Sequence, residues 1–402
     1  MKKYTYEARD KSSDKVVKSI VQAESEMSAA KVLTEQGFLP LSIKEVDESG
    51  GFLGKFNNRI KTKDRIVFTR QLATLIGAGL PLSQSLRTVL DQTENKKMQE
   101  IVQEIIADVE GGRQLSEAFG KHPEVFDKIF LSLVTAGEAS GTLDDALRRI
   151  AAQQEKDAAM MSKIKGAMVY PAIVLFVIFG VMIFMLVTVV PQVENLYSDM
   201  NKSLPLLTQI LINVSNFITK FWWLVLVVIG FASYFIRQYS KTEAGIKTLA
   251  AFKLNVPLFS GMFRKLYMAR FARTGQTLLA TGVPMLDMLD ITATGVNNVI
   301  IEKSIRRAAD KVKGGKALSV ALHNEDYILP MIPQMIKIGE QSGKIDEMMG
   351  KTAQVYEDEL DEEIKNISTA IEPVLMVVLA IFAGGMVGAI LFPIYSLVGS
   401  IH

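Results

Sequence analysis

The chain has no cysteine. That excludes a disulfide, a zinc–thiolate site and a cysteine nucleophile. Histidine is scarce: His122, His323 and His402 lie far apart and share no metal-ligand spacing, and the first two fall in stretches that read as solvated loops. An excess of one charge is also missing. Forty-five basic residues against 43 acidic ones leave a net charge of +2, so no nucleic-acid binder is indicated. The N-terminus, MKKYTYEARD, has no apolar core, and no cleavable signal peptide is expected. The 402 residues suffice for two or three domains. With 49% hydrophobic and 22% charged residues, the composition suits apolar segments alternating with soluble ones.

The apolar segments are free of charge. No charged residue stands between Gly166 and Val193, and Ala172 to Val190 reads AIVLFVIFGVMIFMLVTVV. At about 1.5 Å per residue such a run crosses a hydrocarbon core of about 30 Å. A second run, FWWLVLVVIGFASYFI, covers 221–236 between Lys220 and Arg237, which can snorkel, and the LLTQILINVSNFIT before Lys220 extends it. Trp222 and Trp223 suit a membrane interface. A third, PVLMVVLAIFAGGMVGAILFPIYSLV, covers 373–398. Arg148, Arg149, Lys156, Lys163 and Lys165 precede the first run, and Arg237, Lys241, Lys247 and Lys253 follow the second. The excess of positive charge predicts that both large soluble regions are cytoplasmic.

The chain also repeats itself. FTRQLATLIGAGLPL starts at Phe68 and FARTGQTLLATGVPM at Phe271, an offset of 203 that also pairs Gly79 with Gly282 and Pro81 with Pro284. After one deleted residue the offset becomes 202. It then pairs Gly137, Glu138, Ser140 and Gly141 with Gly339, Glu340, Ser342 and Gly343, and Pro171 and Pro191 with Pro373 and Pro393. Each copy therefore reads as a soluble domain followed by a span, with the middle run as the connector. Within a copy the periodicity is helical: Met98, Ile101, Val102, Ile105, Ile106 and Val109 form one stripe. Gly111-Gly112 ends that helix, and Ser116 is the expected N-cap of the next. Gly79 and Gly282 close helices that Pro81 and Pro284 reopen, forming helix elbows. The first residues differ: YTYEA, VVKSIVQA and LSIKEV read as strands around a helix ending at Gln36.

The expected fold is therefore mainly α and membrane-integral. It has two duplicated cytoplasmic bundles of about six helices each, three transmembrane helices and a small N-terminal α+β module. The expected divisions are a module over 1–48, a linker over 49–63, a first bundle over 64–168 and a first span over 169–192. An external loop over 193–209 leads to a second span over 210–236. The second bundle occupies 237–370, the third span 371–398 and a short external tail 399–402.

The phrase GEASGTL, from Gly137, returns as GEQSGKI from Gly339. A catalytic reading needs a nucleophile, second carboxylate or metal beside Glu138, and no pattern supplies one. A structural elbow fits better, with a partner-contact surface built on it as the second reading. Gly137 and Gly141 allow close approach or positive φ, and Thr142 with Asp145 resembles a capping box. GKT at Gly350 to Thr352 lacks the G-x-x-x-x-G-K-[ST] spacing of a phosphate loop. No catalytic residue, metal ligand or cofactor is expected. Exposed charged faces at Asp144 to Arg149 and Glu357 to Glu363 are the expected contact surfaces. A small-substrate transporter or channel component is the alternative, disfavoured because charge-free spans lack the ionisable residues of a translocation path.

The duplicated bundle-plus-span, the paired GExSG phrases, the G-x-P elbows and the YTYEARD…AAKVLTEQGFLPLSI module resemble one family across almost the whole chain. It is the inner-membrane platform protein of type II secretion systems and type IV pili (the GspF/PilC family). The resemblance implies a non-enzymatic scaffold in the bacterial inner membrane that couples a cytoplasmic hexameric ATPase to extraction and assembly of pilins or pseudopilins. It further implies contacts with other inner-membrane assembly proteins, with membrane lipid and with further copies of the chain, and none with nucleic acid.

Overall fold

The computed structural model describes residues 2–10, 16–23, 28, 30, 34, 38–45, 59–199 and 206–398. Two compact units emerge, residues 1–61 with 94–99 and residues 62–93 with 100–402. In the first, β1 (Lys2–Asp10), β2 (Val16–Ala23) and β3 (Phe38–Glu45) form an antiparallel sheet ordered β2-β1-β3, with a bulge between Glu7 and Ala8. Residues 28, 30 and 34 are helical. The rest of the helix expected up to Gln36, and most of the expected linker, lie outside the described residues.

The second unit is helical; the first turn of its third helix, residues 96–99, belongs to the first unit. Its first copy comprises α1 (Thr62–Gly77), α2 (Leu82–Gln92), α3 (Lys96–Glu110), α4 (Leu115–Gly120), α5 (Lys128–Ser140) and the start of α6 (Leu143–Asp199). After α7 (Leu206–Lys220) and α8 (Trp222–Tyr239), α9 (Glu243–Asn255) opens the second copy. It continues with α10 (Ser260–Ala280), α11 (Met285–Gly295), α12 (Val299–Lys313), α13 (Leu318–His323), α14 (Met331–Ser342) and the start of α15 (Ile345–Val398).

The duplication is written into the backbone. Among the described residues, the positive-φ glycines are three repeat pairs: Gly79 and Gly282 (86° and 83°), Gly112 and Gly315 (85° and 89°), and Gly141 and Gly343 (72° and 70°). These are the left-handed positions at which a side chain would be strained. Pro81 and Pro284 follow as N-cap residues, with φ of −56° and −57° preset by the ring. The apolar stripes bury as expected. Ile101, Val102 and Ile105 are at most 5% exposed. Phe68, Phe119, Phe126 and Phe130 form a ring cluster with centroids 4.4–6.1 Å apart. Each such fully buried side chain contributes about 1.5–3 kcal/mol. Phe271, Leu278, Met288, Leu289 and Ile305 fill the second core, all fully buried.

Among the described residues, three helices are long and apolar enough to cross a membrane: residues 143–192, 222–239 and 345–388 contain the qualifying segments. Large apolar side chains on them are open, Phe176 at 80% and Ile381 at 71% exposure, as a lipid-facing surface requires. In the first and third, bundle and span are one uninterrupted helix. α6 runs for 57 residues and α15 for 54, each about 80 Å long at 1.5 Å per residue. The stretch 210–236, expected as one span, divides at Phe221 between α7 and α8. α7 folds back on the end of α6, where Leu186, Val190 and Ile212 are buried together and the Ser215 hydroxyl donates to the Leu186 carbonyl.

Candidate functional site

The repeated phrase forms the elbow between a bundle's last short helix and its long one. Gly141 sits at the C-cap of α5 in the left-handed region, and the Thr142 amide reaches back to the Gly137 carbonyl at 2.9 Å. Gly343 caps α14 likewise, with Lys344 N–H donating to Gly339 C=O at 2.9 Å. These 6→1 bonds satisfy carbonyls that a helix end leaves free. The phrase's first glycine has a different task. A Cβ on Gly137 would lie 2.7 Å from the Ala146 Cβ, and one on Gly339 would lie 2.7 Å from the Ile345 Cα. These glycines let the two arms of the elbow touch. The serines back-bond locally, Ser140 to Ala136 C=O at 2.8 Å and Ser342 to Ile338 C=O at 2.9 Å. The Thr142 hydroxyl lies 2.7 Å from that of Ser140.

The acids cap a neighbouring helix. The Glu138 carboxylate accepts the backbone N–H groups of Leu115 and Ser116, at 2.5 and 3.0 Å. Glu340 accepts the Ser319 N–H at 3.2 Å and the Ser319 hydroxyl at 2.5 Å. Both carboxylates thus sit on helix N-termini, where amides are unpaired and the helix dipole favours negative charge. This corrects the expectation for Ser116. It is the second residue of α4, whose N-cap position, Gln114, makes no side-chain cap bond. The cap comes instead from Glu138, on α5. Held by backbone amides, both acids act as structural clamps that join α4 to α5 and α13 to α14.

A second constellation lies where the copies meet. Gln153 donates to the Thr274 hydroxyl at 2.8 Å, Lys156 pairs with Glu357 at 3.0 Å, Asp157 with Arg270 at 3.3 Å and Lys163 with Asp361 at 2.5 Å. Glu357 also takes Arg273 at 2.8 Å, and Lys265 pairs with Glu363 at 2.9 Å. Desolvation at this seam pushes the Asp157 carboxyl above its ordinary value, while Arg270 pulls it down. Of the acidic run Glu357 to Glu363, expected to be a free contact face, Glu357 and Asp361 are committed to this seam and Glu359 and Glu363 to Lys265 of the same copy, while Asp358 and Glu362 stay exposed. The face from Asp144 to Arg149 stays exposed, with Arg148 3.4 Å from both Asp144 and Asp145. His122 also departs from expectation. It is 9% exposed, with its Nε2 3.3 Å from a Glu104 oxygen. Gly350 to Thr352 lie within α15, and Lys351 pairs with Glu347 at 3.1 Å. That helical backbone forms no phosphate-cradling loop.

Two elbow-jointed bundles, each continuous with an uncharged span, follow one small N-terminal sheet in the chain and define a membrane scaffold. Residues 68–191 and 271–393 match the family described as type II secretion system (T2SS), protein F, and residues 1–44 match its N-terminal domain. The chain belongs to this family. It is 37% identical to the type IV pilus assembly protein PilC of Thermus thermophilus, covering 99% of this chain and 98% of that one. The PilC of Pseudomonas aeruginosa is 35% identical over 91% of this chain and 97% of its own. The type II secretion system protein F of Xanthomonas campestris is 34% identical over 99% of both.

Proposed function

We propose that the chain is the inner-membrane platform of a type IV pilus or type II secretion machine. In this role it couples a cytoplasmic hexameric ATPase to the extraction and assembly of pilin or pseudopilin subunits. The observation that carries the proposal is the continuity of α6 and α15 from bundle core to span. A displacement applied to a bundle is transmitted into the membrane along a single helix, with no loop between bundle and span. The spans lack the ionisable residues that mark a translocation path, which argues against the transporter alternative. The relatives are named as assembly and secretion proteins, consistent with a scaffold that works through other proteins. Pilins or pseudopilins, other inner-membrane assembly proteins and further copies of the chain complete the expected partners. The GExSG elbows set the direction in which each long helix leaves its bundle, so their part in assembly is to fix geometry.

The basic residues that flank the first two spans support a cytoplasmic side for both bundles. Reporters fused after Lys165 and after Lys253 are expected to read cytoplasmic, and one at Lys202, outside the described residues, external. The platform itself is tested by co-purification from membranes. The chain should bring down the assembly ATPase, with recovery falling as salt rises if charged rims form the contact. A cytoplasmic reading at Lys202, or no ATPase recovered at any ionic strength, would contradict the proposal.

A further inference from the structure

The two copies meet asymmetrically, and the asymmetry leaves a matched pair of surfaces unused. At the seam the first copy contributes the α6 face carrying Gln153 and Lys156, and the second contributes the groove between α10 and α15 carrying Thr274, Arg273 and Glu357. The repeat offsets give each its equivalent. The groove corresponds to that between α1 and α6, with Gln71, Arg70 and Glu155. The projecting face corresponds to the α15 face with Val355 and Asp358. Both equivalents are more open than the seam, although Gln71 is half-buried and donates to the Gln92 side chain at 2.8 Å. The Arg70–Glu155 pair is 61% and 43% exposed, against 16% and 12% for Arg273–Glu357. A concavity of about 520 Å³ lies beside it, rimmed by Arg70, Arg148 and Glu155. Val355 is 39% exposed and Asp358 and Glu362 are exposed. A contact that uses different patches on its two sides is heterologous and can be repeated by another copy.

At the Lys156–Glu357 pair the charges fit that repetition in mirror image, whereas Asp157–Arg270 and Lys163–Asp361 map to Glu359–Val67 and Lys365–Ala159, which form no pair. At the seam one carboxylate, Glu357, is shared by two cations, Lys156 and Arg273. In the open groove Arg70 holds Glu155 at 3.1 Å, and the residue in the place of Lys156 is an acid, Asp358. One guanidinium, with five N–H donors, would then be shared by two carboxylates. The reversal also separates the two contacts. An acidic α15 face is repelled by the groove that holds Glu357 and Asp361, so internal and external docking do not compete.

We propose that the α15 face carrying Val355 and Asp358 docks into the α1–α6 groove of a second copy of this chain, reusing the internal seam between molecules. This deepens the self-association included in the proposed function and rests on it. The absence of cysteine makes the test direct. Two differently tagged copies, one Gln71→Cys and one Val355→Cys, are produced together in membranes and treated with a short bis-maleimide. These positions are the equivalents of Thr274 and Gln153. An adduct carrying both tags is expected only when both cysteines are present. Arg70→Glu on the first copy should lower its yield at least tenfold, and Asp358→Lys on the second should restore it. A Gln153→Cys, Thr274→Cys chain should cross-link internally throughout, reporting an intact fold. Co-purification of the two tags without the 71–355 adduct would overturn these faces while leaving self-association standing. Failure of the tags to co-purify would overturn both. An adduct indifferent to Arg70→Glu would remove the charge argument and with it the proposed docking.

Discussion

Gly339→Val is expected to destabilise the second bundle more than any other single change in the repeated phrase. Even the first carbon of the new side chain would stand 2.7 Å from the Ile345 Cα and 3.2 Å from the Ile345 N and the Lys344 carbonyl oxygen. All three are backbone atoms of the elbow, so no side chain can move to make room. Overpacking typically costs 1–3 kcal/mol, occasionally more. Here the only relief is to open the angle between α14 and α15, which redirects the whole 54-residue helix. Gly343→Ala provides the calibration. A Cβ there meets nothing within 4 Å, and only the φ of 70° is unfavourable, a strain of about 1–2 kcal/mol. Thermal unfolding in detergent should therefore rank Gly339→Val well below Gly343→Ala. Equal midpoints would refute the close-contact role of Gly339.

Glu357→Ala should loosen the seam between the copies. It removes the carboxylate shared by Arg273 and Lys156, leaving Arg273 16% exposed and without its anion. Breaking a buried pair from one side costs about 3–5 kcal/mol; residual solvent contact places this case near the lower end. The repeat supplies its own control. Glu155→Ala removes the equivalent acid from a pair that is 61% and 43% exposed, where an ion pair contributes about 0–1 kcal/mol. Limited proteolysis and unfolding midpoints should respond strongly to the first substitution and barely to the second. Equal responses would show that the seam does not hold the copies together.

The sequence was most legible where structure follows from local spacing. The offsets of 203 and 202 revealed the duplication, and Gly-x-Pro located helix ends because glycine's freedom and proline's fixed φ act within a few residues. The site was only half legible. GExSG could be read as an elbow, but the division of labour between Gly137, for close contact, and Gly141, for the left-handed turn, needed the packing of Ala146. Glu138 could not be paired from sequence because its partners are backbone amides 22 and 23 residues earlier, and amides carry no sequence signature. The run from Glu357 to Glu363 looked solvated because its counter-charges, Lys156 and Lys163, stand about two hundred residues away. The continuity of bundle and span was missed because composition changes at the boundary while the helix does not. The break at Phe221 carried no glycine or proline to announce it.

The central claim, that the chain transmits force and carries out no chemistry of its own, is tested most directly by one rate measurement. The purified chain in lipid vesicles is assayed for nucleotide hydrolysis alone and with the hexameric assembly ATPase. The account predicts no hydrolysis of ATP or GTP by the chain, and a changed ATPase rate when the two are combined. Robust hydrolysis by the chain alone, lost on Lys351→Ala, would contradict it.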